Sequence, residues 1–253
     1  MSIFNTIIFQ PILNLLIWLY NVIPGNDMGL AIIALTIIVK VVLYPFTAAQ
    51  IKQQRALQDI QPKVDEIRKR LKDDKDTQAK ELMELYKREK VNPASSCLPL
   101  LIQLPIFIGL FHALQEGLAS RSLNMLYSFV ANPGAINQMF LGAVDLSKPN
   151  IVLAVIAGGV QFWQSWQIMR KPSPASPPPA EVEGSEGAKD EGMAAIMNKQ
   201  MMYIMPAVTV LIGISLPGGL SLYWIIMGLL TVAQQALFLR KPLPPKTEAQ
   251  LSA

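Results

Sequence analysis

Long apolar stretches separated by polar segments run along most of this chain. Five of them are candidates for membrane helices, at residues 29–46, 98–118, 151–169, 203–216 and 220–239. Because a helix needs about 20 apolar residues to cross a hydrocarbon core about 30 Å thick, the pattern predicts five spans, of which the fourth is short. Pro217, Gly218 and Gly219 separate the last two stretches, which indicates a tight helical hairpin.

The N-terminal residues 1–26 contain a further helical pattern, but a less uniform one. Apolar residues recur at helical spacing, and four polar residues interrupt the other side: Asn5, Gln10, Asn14 and Asn21. No lysine or arginine precedes the apolar residues, so a signal peptide is not expected. A sixth span is an open alternative, but the amphipathic pattern favours a helix that lies in the outer membrane interface.

Basic residues mark one side of the membrane. Lysine and arginine are concentrated at residues 52–90, around the loop at residues 170–199, and from Arg240 onward, whereas the opposite connections contain only Arg121 and Lys148. Cytoplasmic loops are normally the ones rich in lysine and arginine. The asymmetry predicts an N-terminus outside, a first span that runs inward, and a cytoplasmic C-terminus.

The cytoplasmic segments differ in character. Residues 50–91 have two apolar seams at helical spacing on otherwise charged sequence, which predicts an antiparallel helical hairpin with its turn at residues 72–76. Residues 172–192 are rich in proline, glycine, serine and glutamate, and we expect them to be disordered. Residues 241–253 form a short, weakly basic cytoplasmic tail. The predicted fold is therefore all-α: a five-span membrane core over residues 27–240, a cytoplasmic hairpin and an N-terminal interfacial helix.

Composition excludes several classes of function. The 253 residues are 51% hydrophobic and 16% charged, which is typical of a polytopic membrane protein. The single cysteine, Cys97, and the single histidine, His112, argue against a disulfide framework and a metal cluster. No nucleotide-binding or catalytic motif is present. We expect neither an enzyme nor a cofactor, and the net charge of +4 does not by itself indicate nucleic-acid binding.

Lys40 is the most informative polar residue, because it lies inside the first predicted span. A lysine near the middle of a membrane helix costs roughly 2.5–3.5 kcal/mol on insertion scales. Thr36, Lys40 and Tyr44 are spaced i, i+4, i+8 and would share one face of a straight helix. Lys40 is also only about 9 Å from the predicted cytoplasmic end, so its side chain could instead reach toward the headgroups.

Other predicted spans also carry a polar face. Gln103 stands almost alone in the second span, Gln161 shares a face with Gln164 in the third, and Tyr223 shares one with Thr231 in the fifth. These faces could be turned toward one another around Lys40, which would create a hydrophilic recess. The alternatives are interhelical hydrogen bonds for the glutamines, and an interfacial aromatic belt for Tyr223 and its neighbour Trp224.

Three ordered stretches of sequence resemble the YidC family of membrane protein insertases. They are residues 86–93 (YKREKVNP) leading into 97–107 (CLPLLIQLPIF), residues 205–206 (MP) followed by 216–224 (LPGGLSLYW) with Thr231 and the glutamine pair 234–235, and residues 44–45 (YP) followed by 61–63 (QPK). The resemblance as a whole extends over nearly the whole chain, from about Ile7 to Leu239. The resemblance implies a short form of the family with five core spans, an outer amphipathic helix, a cytoplasmic hairpin, and no large extracytoplasmic domain before the core.

The resemblance also implies a substrate-binding groove open to the cytoplasm and to lipid. On the matching positions of this chain, its residues would be Lys40, Thr36, Gln103, Tyr223 and Trp224. We expect Gln161, from the polar face of the third span, to line the same groove. Lys40 stands where the family has arginine, so the charge is kept but bidentate recognition by a guanidinium is lost. Trp224 stands where a second tyrosine is expected.

The implied function is a membrane protein insertase or chaperone of the bacterial inner membrane, which acts on nascent membrane proteins in the lipid bilayer. A Sec translocon, signal recognition pathway components and the ribosome are candidate partners of such a protein. A small-anion transporter or channel that uses the buried lysine is the competing hypothesis, although five spans divide poorly into inverted repeats. An assembly chaperone without insertion activity of its own is a third.

Overall fold

A computed structural model describes residues 3–92, 98–118, 125–169 and 200–240, and this part of the chain is mostly helical. A π-helical turn at Asn5–Phe9 precedes the first helix, and another at Gln200–Ile204 precedes α8. The helices are α1 (Gln10–Val22), α2 (Met28–Val42), α3 (Tyr44–Asp59), α4 (Gln61–Arg70), α5 (Lys75–Arg88), α6 (Leu98–Leu118), α7 (Ile151–Met169), α8 (Met205–Gly213) and α9 (Gly218–Arg240).

The first predicted span is not a straight rod. Helix α2 ends at Val42, and α3 leaves it at Tyr44 with a bend of 66°. Pro45 explains the break, because proline has no N–H to donate and its ring would clash with the carbonyl four residues earlier. The prediction that residues 29–46 form one helix with Tyr44 on the face of Lys40 is therefore wrong.

The main core lies where α1, α2, α6 and α9 meet, toward the N-terminal ends of α2 and α9. Its largest side chains are fully buried, among them Leu13, Ile17, Met28, Ile32 and Leu220. These residues come from three helices, each of which places an apolar stripe toward the others. The core therefore joins the N-terminal helix to the membrane helices and does not leave it as a separate element.

The polar side of α1 is hydrogen-bonded to the connection between α6 and α7. Asn14 is buried, its Nδ2 donates to the Met125 carbonyl at 3.2 Å, and its Oδ1 accepts from the Tyr127 N–H at 2.6 Å. Asn21 donates to the Ala131 carbonyl at 2.7 Å. The polar residues of this helix thus contact protein backbone, which gives their amphipathic pattern a structural cause.

The same connection contains a small antiparallel hairpin, β1 (Met139–Phe140) paired with β2 (Val144–Asp145), which the sequence did not predict. The Ser147 hydroxyl and the Lys148 ammonium both bond Asp145, and these hydrogen bonds lower the pKa of its carboxyl to about 2. The backbone then turns toward α9, where Gly218 N–H donates to the Lys148 carbonyl at 2.9 Å. The connection thereby covers the N-terminal end of α9, whose first N–H groups lack helical partners.

Helices α7, α8 and α9 pack closely at glycines. A Cβ on Gly158 would lie 2.4 Å from Val210 Cγ2 and 3.1 Å from the Pro206 carbonyl oxygen, and a Cβ on Gly228 would lie 2.6 Å from Val160 Cγ1. Small residues let membrane helices approach until their backbones are nearly in contact. The three helices therefore form a tight layer on the side of α9 that faces away from α2.

Helices α4 and α5 form the antiparallel pair after α3, with a small core of their own. Ile60, Val64 and Leu85 are buried there. Helix α5 begins at an N-cap, Asp74, which accepts a hydrogen bond from the Thr77 N–H at 3.0 Å. The Thr77 hydroxyl also donates to Asp74, and these bonds hold the pKa of its carboxyl below the usual value.

The number of spans stays a prediction. By length and composition, two helices in the described part of the chain could cross a membrane, Asn5–Val22 and Gly218–Phe238, and the bent pair Met28–Val42 and Tyr44–Asp59 would add a third if it forms one span. Helix α8 is shorter than the predicted fourth span. The predicted disordered loop at residues 172–192 and the tail at residues 241–253 lie outside the described residues.

Candidate functional site

Lys40 is hydrogen-bonded across the α2–α9 contact. Its Nζ donates to Thr231 Oγ1 at 2.9 Å. The Thr231 hydroxyl donates in turn to the Met227 carbonyl of its own helix at 2.7 Å. Because the threonine proton is already used, its oxygen can only accept from Lys40. The ammonium is therefore held against α9, and the side chain does not simply extend toward the headgroups.

The positive charge of Lys40 has no acidic partner in the part of the chain that the structure describes. The lysine is partly buried and lies in the last turn of α2. There the carbonyl end of the helix dipole favours a cation, typically by about 0.3–1 kcal/mol. That gain is smaller than the insertion penalty of the charge. Two of the three ammonium donors have no protein acceptor among the described residues, so the group is suited to bind an anion or a carbonyl oxygen.

Thr36, one turn before Lys40, does not present its hydroxyl to a recess. The residue is fully buried, and its Oγ1 donates to the Ile32 carbonyl at 2.6 Å. Threonine often forms this bond to the fourth residue before it within a helix. Thr36 therefore packs beside the Lys40 contact without a free polar atom.

Two contacts join α6 to α9 nearer the N-terminal end of α9. Gln103 Nε2 donates to the Tyr223 hydroxyl, and Phe107 stacks on Trp224 with ring centroids 5.3 Å apart. Tyr223 is only 1% exposed. The structure thus brings Gln103 and Tyr223 together, but it makes Tyr223 a contact between helices and not an exposed surface.

Gln161 belongs to another part of the molecule. It is partly buried on α7, and α7 packs against α8 and α9. In the described ranges, no hydrogen bond connects Gln161 to Lys40, Gln103 or Tyr223. The six predicted site residues are therefore divided among four places. Lys40 contacts Thr231, Thr36 is buried, and Gln161 lies in the separate layer of α7. Gln103, Tyr223 and Trp224 take part in the contacts between α6 and α9.

Three further polar residues of α9 lie on the helix face whose Thr231 contacts Lys40. Thr231, Gln234 and Gln235 are spaced i, i+3, i+4 and share one helix face. Gln234 Nε2 donates to Thr47 Oγ1 of α3 at 2.9 Å. We name Lys40, Thr47, Thr231, Gln234 and Gln235 the Lys40 site. The polar spacing on the last span was visible in the sequence, but the role of Thr47 depends on the bend between α2 and α3.

Helix α3 is fastened to the C-terminal end of α9 beside the Lys40 site. Arg55 Nη1 donates to the Phe238 carbonyl at 2.7 Å, and the rings of Tyr44 and Phe238 lie 6.4 Å apart. An arginine at the last carbonyls of a helix satisfies an acceptor that lacks a helical partner and favours the helix dipole. The bend at Leu43 thus places α3 across the end of α9.

The chemistry available at the Lys40 site is that of binding. It offers one ammonium, two hydroxyls whose protons are used, and two carboxamides. Among the described residues, no group of three or more metal-binding side chains occurs. Nothing in this set provides a nucleophile activated by a neighbouring base.

Comparisons with known proteins agree over most of the chain. The family model of the 60Kd inner membrane protein matches residues 18–244. A protein of Mannheimia succiniciproducens named membrane protein insertase YidC is 35% identical over 230 residues, which cover 89% of this chain and 36% of that protein. Proteins of the same name from Actinobacillus succinogenes and Lawsonia intracellularis are 34% and 30% identical over 236 residues, covering 92% and 93% of this chain. The chain spans between 36% and 39% of the length of these three relatives.

Proposed function

Because the chain belongs to the 60Kd inner membrane protein family, whose curated members are named membrane protein insertase YidC, we propose that it inserts small membrane proteins into the bacterial inner membrane. The observation that carries this proposal is the partly buried ammonium of Lys40. It lies in the last turn of α2 and has no acidic partner in the described part of the chain. A cation kept there at a cost to insertion indicates a ligand or water beside it.

We assign the membrane topology as five spans, formed by α2, α6, α7, α8 with the turn before it, and α9. The basic helices α4 and α5 then lie in the cytoplasm, and the connection at residues 125–150 lies outside. Helix α1 lies at the outer surface, where its hydrogen bonds to that connection support this position. The Lys40 site is then close to the cytoplasm, and the outer connection closes the opposite end.

The mechanism follows from the position of the charge. A client protein approaches from the cytoplasm, and its short polar or acidic outer segment enters beside Lys40. The ammonium and its hydrated surroundings shorten the distance over which polar groups must cross hydrocarbon, where unpaired polar groups cost several kcal/mol each. The apolar segment of the client then moves into lipid, and hydrophobic transfer of about 25 cal/mol per Å² drives the step.

The clients of this function are nascent membrane proteins. Helices α3 to α5 project from the membrane next to the Lys40 site, because Arg55 and Thr47 connect α3 to α9. We propose that this hairpin receives clients, or the signal recognition components, ribosome or Sec translocon that deliver them. Its charged outer surface suits such polar contacts.

The experiment that tests the function uses purified protein in liposomes and a synthetic single-span client with a short acidic outer segment. Protease protection of that segment measures insertion. We expect at least tenfold more protected client than in protein-free liposomes. Liposomes with the protein that show anion flux but no gain in protected client would favour a transporter and contradict the proposal.

A further inference from the structure

Two carboxamide oxygens of the Lys40 site are buried without a hydrogen-bond partner among the described residues. They are Gln234 Oε1 and Gln235 Oε1, and their residues are only 6% and 4% exposed. Buried polar atoms in folded proteins are nearly always hydrogen-bonded, so each exception calls for an explanation. Of the three such atoms in the described residues, these two are neighbours on the helix face that carries Thr231, and the third is Ser221 Oγ.

The orientation of the Gln234 amide is set by its contact with α3. The Thr47 hydroxyl donates its proton to the Tyr44 carbonyl at 3.1 Å. In this arrangement its oxygen accepts from the NH₂ of Gln234, and the carboxamide oxygen points away from Thr47. Exchanging the two ends of the amide would keep a bond to Thr47 only if the Thr47 hydroxyl gave up the Tyr44 carbonyl.

Donor and acceptor lie one helical turn apart at this site. Thr231, which holds the Lys40 ammonium, and Gln234 are three residues apart, or about 4.5 Å along the helix axis. An extended peptide has a rise of about 3.3 Å per residue and carries both a carbonyl and an N–H in that interval. The axial spacing of these two residues therefore matches the spacing of an N–H and a carbonyl along one extended strand.

We propose that Gln234 Oε1 accepts a hydrogen bond from a backbone N–H of the client while Lys40 donates to a neighbouring carbonyl. This inference rests on the proposed insertase function and names the group of the client that the site recognises. Every client has a peptide backbone, so the contact does not depend on client sequence. It also satisfies the backbone of an extended segment at the point where that segment leaves water.

The test uses clients in which single backbone amides are replaced by esters, because an ester removes one N–H and leaves the side chains unchanged. In the liposome assay with the unmodified protein, we expect about a fivefold loss of insertion for esters at one or two neighbouring positions and little change elsewhere. Gln234→Met should lower insertion of the all-amide client by a similar factor. With Gln234→Met, the ester at the sensitive position should have no further effect.

Gln167→Met is the matched control, because Gln167 also joins two helices through its carboxamide, which donates to the Val232 carbonyl at 3.1 Å. This variant should keep the full effect of the ester. The ester scan on the unmodified protein does not depend on whether Gln234→Met folds.

Two results would overturn the proposal while leaving the insertase function intact. One is an ester scan without a sensitive position in a protein that inserts the all-amide client. The other is a loss from Gln234→Met that has the same factor for the all-amide client and for every ester client. That result would mean that Gln234 binds water and not the client. If the unmodified protein does not raise insertion of the all-amide client, the proposed function and this inference fall together.

Discussion

Lys40→Met should lower insertion of a client with an acidic outer segment by about tenfold or more. A hydrogen bond to a charged group contributes about 1.5–3 kcal/mol, and each 1.4 kcal/mol is a factor of ten. Lys40→Arg should keep most of the activity, because the charge and the reach to Thr231 are retained. The measurement is protease protection of the client in liposomes that contain equal amounts of each variant.

A client with a neutral outer segment is the control for this prediction. Its insertion should fall by a smaller factor with Lys40→Met, because the neutral segment loses only the hydrogen bond to its backbone, whereas the acidic segment also loses the attraction of the charge. Unfolding cannot produce this difference, because an unfolded protein would lose activity toward both clients equally. Equal losses for both clients, or no loss for either, would contradict the role of the ammonium.

Gly158→Leu should lower the unfolding free energy by about 3 kcal/mol or more. The Cβ alone would meet the stiff side chain of Val210 and the backbone of Pro206 at distances that require one of the helices to move. Overpacking of a well-packed core costs typically 1–3 kcal/mol, occasionally more, and here a whole leucine must be accommodated. Thermal unfolding of the purified protein in detergent, followed by helical circular dichroism, measures the loss.

Gly159→Leu is the matched control, one residue along the same helix. A Cβ on Gly159 would meet nothing within 4 Å, and the residue is exposed. Its unfolding free energy should change by no more than about 0.5 kcal/mol. Equal unfolding temperatures for the two variants would mean that α7 and α8 are not packed as described.

The sequence predicted the positions of helices better than their shapes. The apolar stretches at residues 98–118 and 151–169 coincide with α6 and α7, because uninterrupted apolar sequence leaves few other conformations in a membrane. The family assignment is confirmed as well. Pro45 was visible in the sequence, but the break at Leu43 was missed. Proline is common in the first turn of a helix, so Pro45 is also compatible with a new helix that begins here in another direction.

The site was predicted in part. Gln103 and Tyr223 were both selected, and the structure joins them by a hydrogen bond. Lys40 was selected, but its partner Thr231 was noted only as part of a polar face. Thr36 was chosen because it shares a helix face with Lys40, yet spacing along one helix does not reveal that a neighbouring helix covers the hydroxyl.

The contacts of α3 and of the outer connection could not be read from the sequence. Thr47 reaches Gln234 only because α3 turns back toward α9, and these residues are far apart in the chain. Asn14 suggested an amphipathic surface helix, whereas its amide bonds the backbone of residues 125–127. Long-range hydrogen bonds to backbone atoms leave little trace in residue type.

Reaction of a single cysteine with a charged, membrane-impermeant thiol reagent tests most directly whether the Lys40 site is hydrated from the cytoplasm. In a protein with Cys97→Ser, Thr231→Cys places the thiol at the site, and Leu229→Cys places it on the exposed apolar side of the same helix, two residues away. We predict that the thiol at position 231 reacts from the cytoplasmic side, helped by the nearby ammonium, and that the thiol at position 229 does not. Absence of reaction at position 231, or equal reaction at both positions, would contradict a hydrated recess at Lys40.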